Sequence, residues 1–271
     1  MLTASRCQHF LACGSVSVER NCAKGKMRSV DLPNHKSGVF DMMEHKSYYP
    51  KTRLTEYATK ISELVFGLFL FAAGAYLMVQ ANIGLSSWWA LDIGIANLTG
   101  IDYGTVHNMV ALIILFIDIL VKEKIGWGMV ADALLIGTFV VLFNQFQMVP
   151  LFQTLSGGVI CILAGLLLCG IGSYYYMDAG FGCGPRDALM VAICRHFPQV
   201  PVGVARFILE GSALLTGWAL GAKIGIGTVI ATVGMGVSIQ LVFRIARFDA
   251  TRVHNENIME TCLAILGLLK Y

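Results

Sequence analysis

The chain has 271 residues, 56% of them hydrophobic and 14% charged, with a mean hydropathy of +0.68. Soluble domains carry about a quarter charged residues, so water is not this protein's principal solvent, and the composition predicts an all-α polytopic membrane protein whose first partner is the lipid bilayer. A formal net charge of +3 is too small, and too concentrated in the first sixty positions, to mark a nucleic-acid binder.

Residues 1–58 form a polar leader, expected on the cytoplasmic side, to which no fold is assigned. It lacks the charged start and small-residue cleavage site of a removable signal peptide, and Met27, Met42 and Met43 offer later start sites. Ten of the twenty Lys and Arg residues lie within the first sixty positions. Cys7, Cys13 and Cys22 sit in this leader, Cys161, Cys169, Cys183 and Cys194 in apolar sequence and Cys262 near the end. No pair has the two-residue separation of a zinc or redox site, so the cysteines read as small apolar residues and no metal or cofactor is expected.

The membrane domain is expected over 59–247. Segments 60–80, 104–121, 126–146, 157–177, 202–220 and 224–243 are apolar and long enough to cross roughly 30 Å of hydrocarbon at about 1.5 Å per residue. Segments 86–98 and 185–197 are helical in pattern but too short to span, and read as half-helices or re-entrant segments. The tail 248–271 is expected in the cytoplasm, its apolar stretch 262–269 lying on the membrane or packing on the bundle.

A register of 98 to 99 residues superimposes the two halves, 59–149 and 155–247. Gly74-Ala75-Tyr76 matches Gly172-Ser173-Tyr174, Ala81-Asn82-Ile83-Gly84 matches Ala179-Gly180-Phe181-Gly182, and Ala90-Leu91 matches Ala188-Leu189. Lys124-Ile125-Gly126-Trp127-Gly128 matches Lys223-Ile224-Gly225-Ile226-Gly227, and Gly137 matches Gly236. Each copy therefore reads as span, short segment, span, span.

If the short segment crosses, the copies are parallel; if it dips and returns, each copy has three crossings and the second is upside down. Charge favours inversion. With both termini cytoplasmic, Lys122, Lys124, Arg244, Arg247 and Arg252 then fall inside, 147–154 falls outside, and only Lys223 breaks the positive-inside bias.

The stretch Gly180-Phe181-Gly182-Cys183-Gly184-Pro185-Arg186-Asp187 is the most informative in the chain. Glycines permit a sharp bend and proline suits a first helical position, so a helix starts near Pro185 with unpaired N–H groups and partial positive charge at its mouth. Gly84-Leu85-Ser86-Ser87-Trp88-Trp89 starts a helix in the same way, with Ser86 or Ser87 as cap. In inverted copies these starts approach the midplane from opposite sides, as in many transporter sites. The candidate solute-binding residues are accordingly Arg186, Asp187, Gly182, Gly184, Ser86, Ser87 and Trp88, joined by Arg206 and Glu210, which share a face of the fifth span.

Glu210 and Asp187 are the candidate proton-coupling groups. His107 occupies the place of Arg206 in the first copy, and Trp88 and Trp89 those of Arg186 and Asp187, so any site is asymmetric. Asp92 and Asp132 are further candidates, the alternative for each being a buried, hydrogen-bonded group that faces a polar cavity; Asp118 reads as an interfacial partner of Lys122, and Trp88-Trp89 and the Tyr174-Tyr175-Tyr176 run as belt or packing residues. No Ser, His and acid set recurs at usable spacing, so an enzyme is not expected.

From 64 to 247 the sequence resembles the YczE/YyaS/YitT family of bacterial integral membrane proteins. The resemblance rests on Gly84 with its short helix, on Gly182-x-Gly184-Pro185-x-Asp187 and on the two Lys-Ile-Gly-x-Gly turns. It implies a multi-pass protein of the bacterial cytoplasmic membrane and leaves the activity open. The residues themselves point to a secondary transporter or facilitator of a small anionic or zwitterionic solute. A non-transporting accessory or regulatory protein, docking a partner through its tails, is the alternative.

Overall fold

The computed structural model describes residues 53–197, 199–200, 202–248, 253 and 255–265; the leader, apart from its last residues, lies outside them. The described residues form only helices: α1 Arg53–Gln80, α2 Ser87–Thr99, α3 Tyr103–Leu120, α4 Trp127–Gln145, α5 Leu155–Asp178, α6 Pro185–His196, α7 Val202–Ala219, α8 Ile226–Ile245 and α9 Ile258–Ile265. Among them α1, α3, α4, α5 and α8 are long and apolar enough to cross a membrane. The sixth expected span, α7, is not one of these five; it carries Arg206 and Glu210 within 18 residues. Exposed side chains such as Phe116 and Ile160 form the apolar exterior that lipid contacts.

The starts of α2, α3 and α4 at 87, 103 and 127 recur 98, 99 and 99 residues later, as those of α6, α7 and α8 at 185, 202 and 226. Local chemistry explains the boundaries. Asp102 and Thr154 cap α3 and α5 by accepting from the N–H groups of Gly104 and Gly157, at 2.9 and 3.3 Å. Gly100, at φ 71°, closes α2, and Pro185 opens α6.

The core is the crossing of α1 with α5. Gly67 lies against Gly172 and Tyr176, and Gly74 against Gly165 and Cys169, so numbering rises along one helix as it falls along the other. The two helices are antiparallel and in backbone contact. A Cβ on Gly172 would stand 2.6 Å from the Gly67 carbonyl oxygen, so only glycine permits this approach. Cys161 Sγ donates to Leu77 O at 3.1 Å, making the cysteine part of the seam. Around this pair α4 packs on α1 and α8 on α5, while α2 packs on α7 and α3 on α6.

The C-terminal segment is tied to the bundle. Glu256 N–H donates to Gly180 O and Ile258 N–H to Ile125 O, at 2.9 and 3.0 Å. The buried Glu256 carboxylate accepts from Tyr57 Oη at 2.9 Å and pairs with Lys60 at 3.3 Å. Asn257 and Glu260 cap α9 reciprocally.

Candidate functional site

Two bends make the site. After α1 and α5 the chain turns back through Gly84 and Gly182, whose φ values of 135° and 99° suit only glycine. Each bend is held by the other half of the molecule. Gly128 N–H donates to Phe181 O at 2.9 Å, and Gly227 N–H donates to Ile83 O at 2.9 Å. A Cβ on Gly128 would lie 2.8 Å from Phe181 O, which accounts for the Gly-x-Gly of both Lys-Ile-Gly-x-Gly turns. Thr228 Oγ1 accepts from Leu85 N–H at 3.1 Å and fixes the first bend further.

From these bends α2 and α6 begin in the interior. α6 runs alongside α3 in the same sense: Arg186 meets His107 near the start of both, and Arg195 pairs with Glu123 at 2.9 Å near the end of both. α2 likewise lies along α7, with Ala90 against Gly217. α6 thus returns towards the end of the bundle from which its bend came.

The two starts meet at Arg186. Its guanidinium lies over the Trp88 ring, 4.6 Å from the centroid. Its Nη2 is 3.6 Å from Asp92 Oδ2 and 3.2 Å from His107 Nδ1. His107 Nδ1 is 2.8 Å from the same Asp92 oxygen. That short distance to a carboxylate assigns the proton to Nδ1, which donates to Asp92, so Arg186 Nη2 and His107 Nδ1 are two donors converging on one carboxylate oxygen rather than partners of each other. Trp89 stacks on His107 at 4.3 Å and meets Tyr103 edge-on.

Asp92 and His107 are fully buried. Asp92 Oδ1 and Tyr103 Oη have no hydrogen-bond partner among the described residues, and the Asp132 carboxyl sits at the mouth of α6, where a Cβ on Gly184 would be 3.2 Å from Oδ2. Donors are Arg186 and the first-turn N–H groups of α2 and α6; acceptors are Asp92 Oδ1, Asp132 and Asp187. Such a set suits a solute that both accepts and donates hydrogen bonds.

The predicted residues divide into two groups. Trp88 and Arg186 come together, while Gly184 lies against Asp132 and Gly182 near Gly126 in the bend before α6. Ser86 stands at the N-cap of α2 without a side-chain cap bond, and Ser87 is buried behind it. Asp187 occupies the first turn of α6. Arg206 and Glu210 pair on α7 at 3.4 Å, partly exposed, and no hydrogen bond or ion pair joins them to Arg186.

Of the belt and packing roles, Trp89 takes packing, buried against His107, while Trp88 lies against Arg186. One expectation is corrected. Asp118 forms no pair with Lys122: its carboxyl is buried with neither oxygen hydrogen-bonded among the described residues. The helix ends at Leu120, so Lys122, at φ 59°, points elsewhere. Asp92, a candidate in the sequence, joins this cluster; His107 was missed as a site residue, although the repeat register had set it opposite Arg206.

Residues 58–244 match the model of a family of unknown function, DUF6198. The chain is similar to an uncharacterized protein of Haemophilus influenzae, 32% identical over 68% of this chain and 84% of that one. It is similar also to the uncharacterized membrane protein YczE of Bacillus subtilis, 30% identical over 63% of this chain and 79% of YczE. YyaS of the same organism is 27% identical over 65% of this chain and 88% of its own. No solved structure matches the chain.

Proposed function

This chain belongs to the DUF6198 family and is similar to the membrane protein YczE and to YyaS, and we propose that it is a secondary transporter or facilitator of a small zwitterionic or anionic solute in the bacterial cytoplasmic membrane. The observation that carries the reading is the meeting of Trp88 and Arg186, 98 positions apart, at two half-helix starts held by reciprocal backbone hydrogen bonds.

The antiparallel α1–α5 crossing supports an inverted duplication, because parallel copies would make equivalent helices parallel. In this reading both termini are cytoplasmic, and α2 and α6 enter from opposite faces without crossing. The first-turn N–H groups and Arg186 receive a negative group, while Asp92, Asp132 and Asp187 receive an ammonium, which favours a zwitterion within the class. Asp187, at the mouth of α6, is better placed to couple a proton than Glu210, which has Arg206 as its partner. Support for the accessory alternative is reduced by the C-terminal segment, whose α9 is folded onto the bundle rather than free to dock.

Uptake into proteoliposomes tests the proposal, with Arg186→Gln and Glu210→Gln made separately and together. Flux is expected to fall at least tenfold with Arg186→Gln and little with Glu210→Gln. Flux unaltered in the double variant removes the proposed site.

A further inference from the structure

The two halves are not in the same state. In the first, α3 packs along α4 and the seam is stitched. Asn108 Nδ2 donates to Leu134 O at 2.9 Å and to Thr138 Oγ1 at 3.0 Å, and Gly137 is pressed against Gly104 and Asn108. Asn144 Nδ2 donates to Asp102 Oδ2 at 2.8 Å where α3 begins and α4 ends.

In the second half the equivalent positions, 99 residues on, are Phe207, Val233, Gly236, Val237 and Phe243. There is no such seam. Among the described residues α7 is not packed along α8. Phe207 is 79% exposed, and a Cβ on Gly236 would meet nothing within 4 Å. The α7–α8 turn lies beside Ile83, at the end of the bundle where α1 finishes. The separation therefore opens towards the end where α1 begins.

We propose that α7 and α8 are the moving gate of the transporter reading, on which this inference rests: the structure is the form open to the α1-start side, cytoplasmic in that topology. The gate closes by seating Phe207 over Gly236, as Asn108 sits over Gly137. The opposite gate is α3–α4, latched by Asp102–Asn144 and by Asn108. The latch is polar, with direction-specific hydrogen bonds, and the α7–α8 counterpart is apolar, so the second half is the one free to part in the absence of solute. Closing one gate requires releasing the other, because a site open to both sides leaks.

The test replaces Phe207 by the photoreactive p-benzoyl-phenylalanine, aromatic for aromatic at an exposed position, in the full chain in native membranes. Irradiation is expected to give a product within one chain joining 207 to the α8 peptide. Its yield should rise about fivefold when the latch is weakened by Asn144→Ala, the effect of about one net hydrogen bond on a two-state population. Absence of any α8 product overturns the proposal, as does a yield indifferent to the latch. A product joining two chains also overturns it, making this face an oligomer interface. If Asn144→Ala does not accumulate, Asn108→Ala weakens the same seam. Switching that persists in a protein without flux would refute the transporter reading while leaving the gate intact.

Discussion

Replacing Gly128 by alanine puts a methyl group where the other half of the molecule already stands. The new Cβ would lie 2.8 Å from Phe181 O, 2.9 Å from Gly182 O and 3.0 Å from Phe181 C, all backbone atoms of a bend that cannot rotate away. Relief requires the α6 bend to withdraw, and with it goes the Gly128 N–H to Phe181 O bond. Overpacking costs about 1–3 kcal/mol and the hydrogen bond about 1 kcal/mol, so the expected loss is about 2–4 kcal/mol. For a domain of this size that is a fall in Tm of about 5–15 °C. Gly211→Ala is the matched control, because nothing lies within 4 Å of its added Cβ; it should leave Tm unchanged or slightly raised. Thermal unfolding of the purified variants in one detergent reads both. Equal Tm values for Gly128→Ala and Gly211→Ala would refute the argument that the glycine turn exists to clasp the opposite bend.

Asp92→Ala, by stranding Arg186 and His107 without their shared carboxylate, should destabilise by about 3–5 kcal/mol, and Asp92→Asn by visibly less, in the same unfolding assay. Gly74→Leu should prevent the α1–α5 crossing and abolish monodisperse protein on size-exclusion chromatography, since Cys169 N lies only 2.8 Å from the added Cβ. Glu256→Gln should loosen the C-terminal segment, which limited proteolysis will report as faster cleavage near α9, while the membrane core stays protected. Arg206→Gln is expected to shift Tm by no more than about 2–4 °C, because its pair with Glu210 is part-exposed and lies apart from the buried cluster.

Much of this architecture was legible in the sequence because lipid imposes length on helices. The expected 126–146 is Trp127–Gln145 and the expected 157–177 lies within Leu155–Asp178. The short α2 and α6 were recognisable from thirteen-residue patterns opening at Gly84 and Gly182, since a helix that cannot reach across must begin or end inside. The repeat register also placed Trp88 opposite Arg186, the pair that meets. What it could not supply was the partners of the candidate Asp92. That residue lies in the second turn of α2 and His107 on the next helix, and only the packing of α2, α3 and α6 makes them partners. Between belt and packing, which the sequence left open for Trp89, packing holds: aromatic belts form where full spans end, and Trp89 stands where a half-helix starts. Asp118 and Lys122 have helical spacing in sequence, yet the helix stops between them.

The central claim is that the two copies face opposite ways, and native lysines report it without any substitution. Lys124 and Lys223 are exposed, sit at equivalent positions of the two turns and are 99 residues apart. A membrane-impermeant amine reagent applied to sealed right-side-out and inside-out vesicles, followed by peptide mass spectrometry, assigns each to a face. Inverted copies predict Lys223 modified only in right-side-out vesicles and Lys124 only in inside-out ones. Modification of both lysines from the same face would contradict the account.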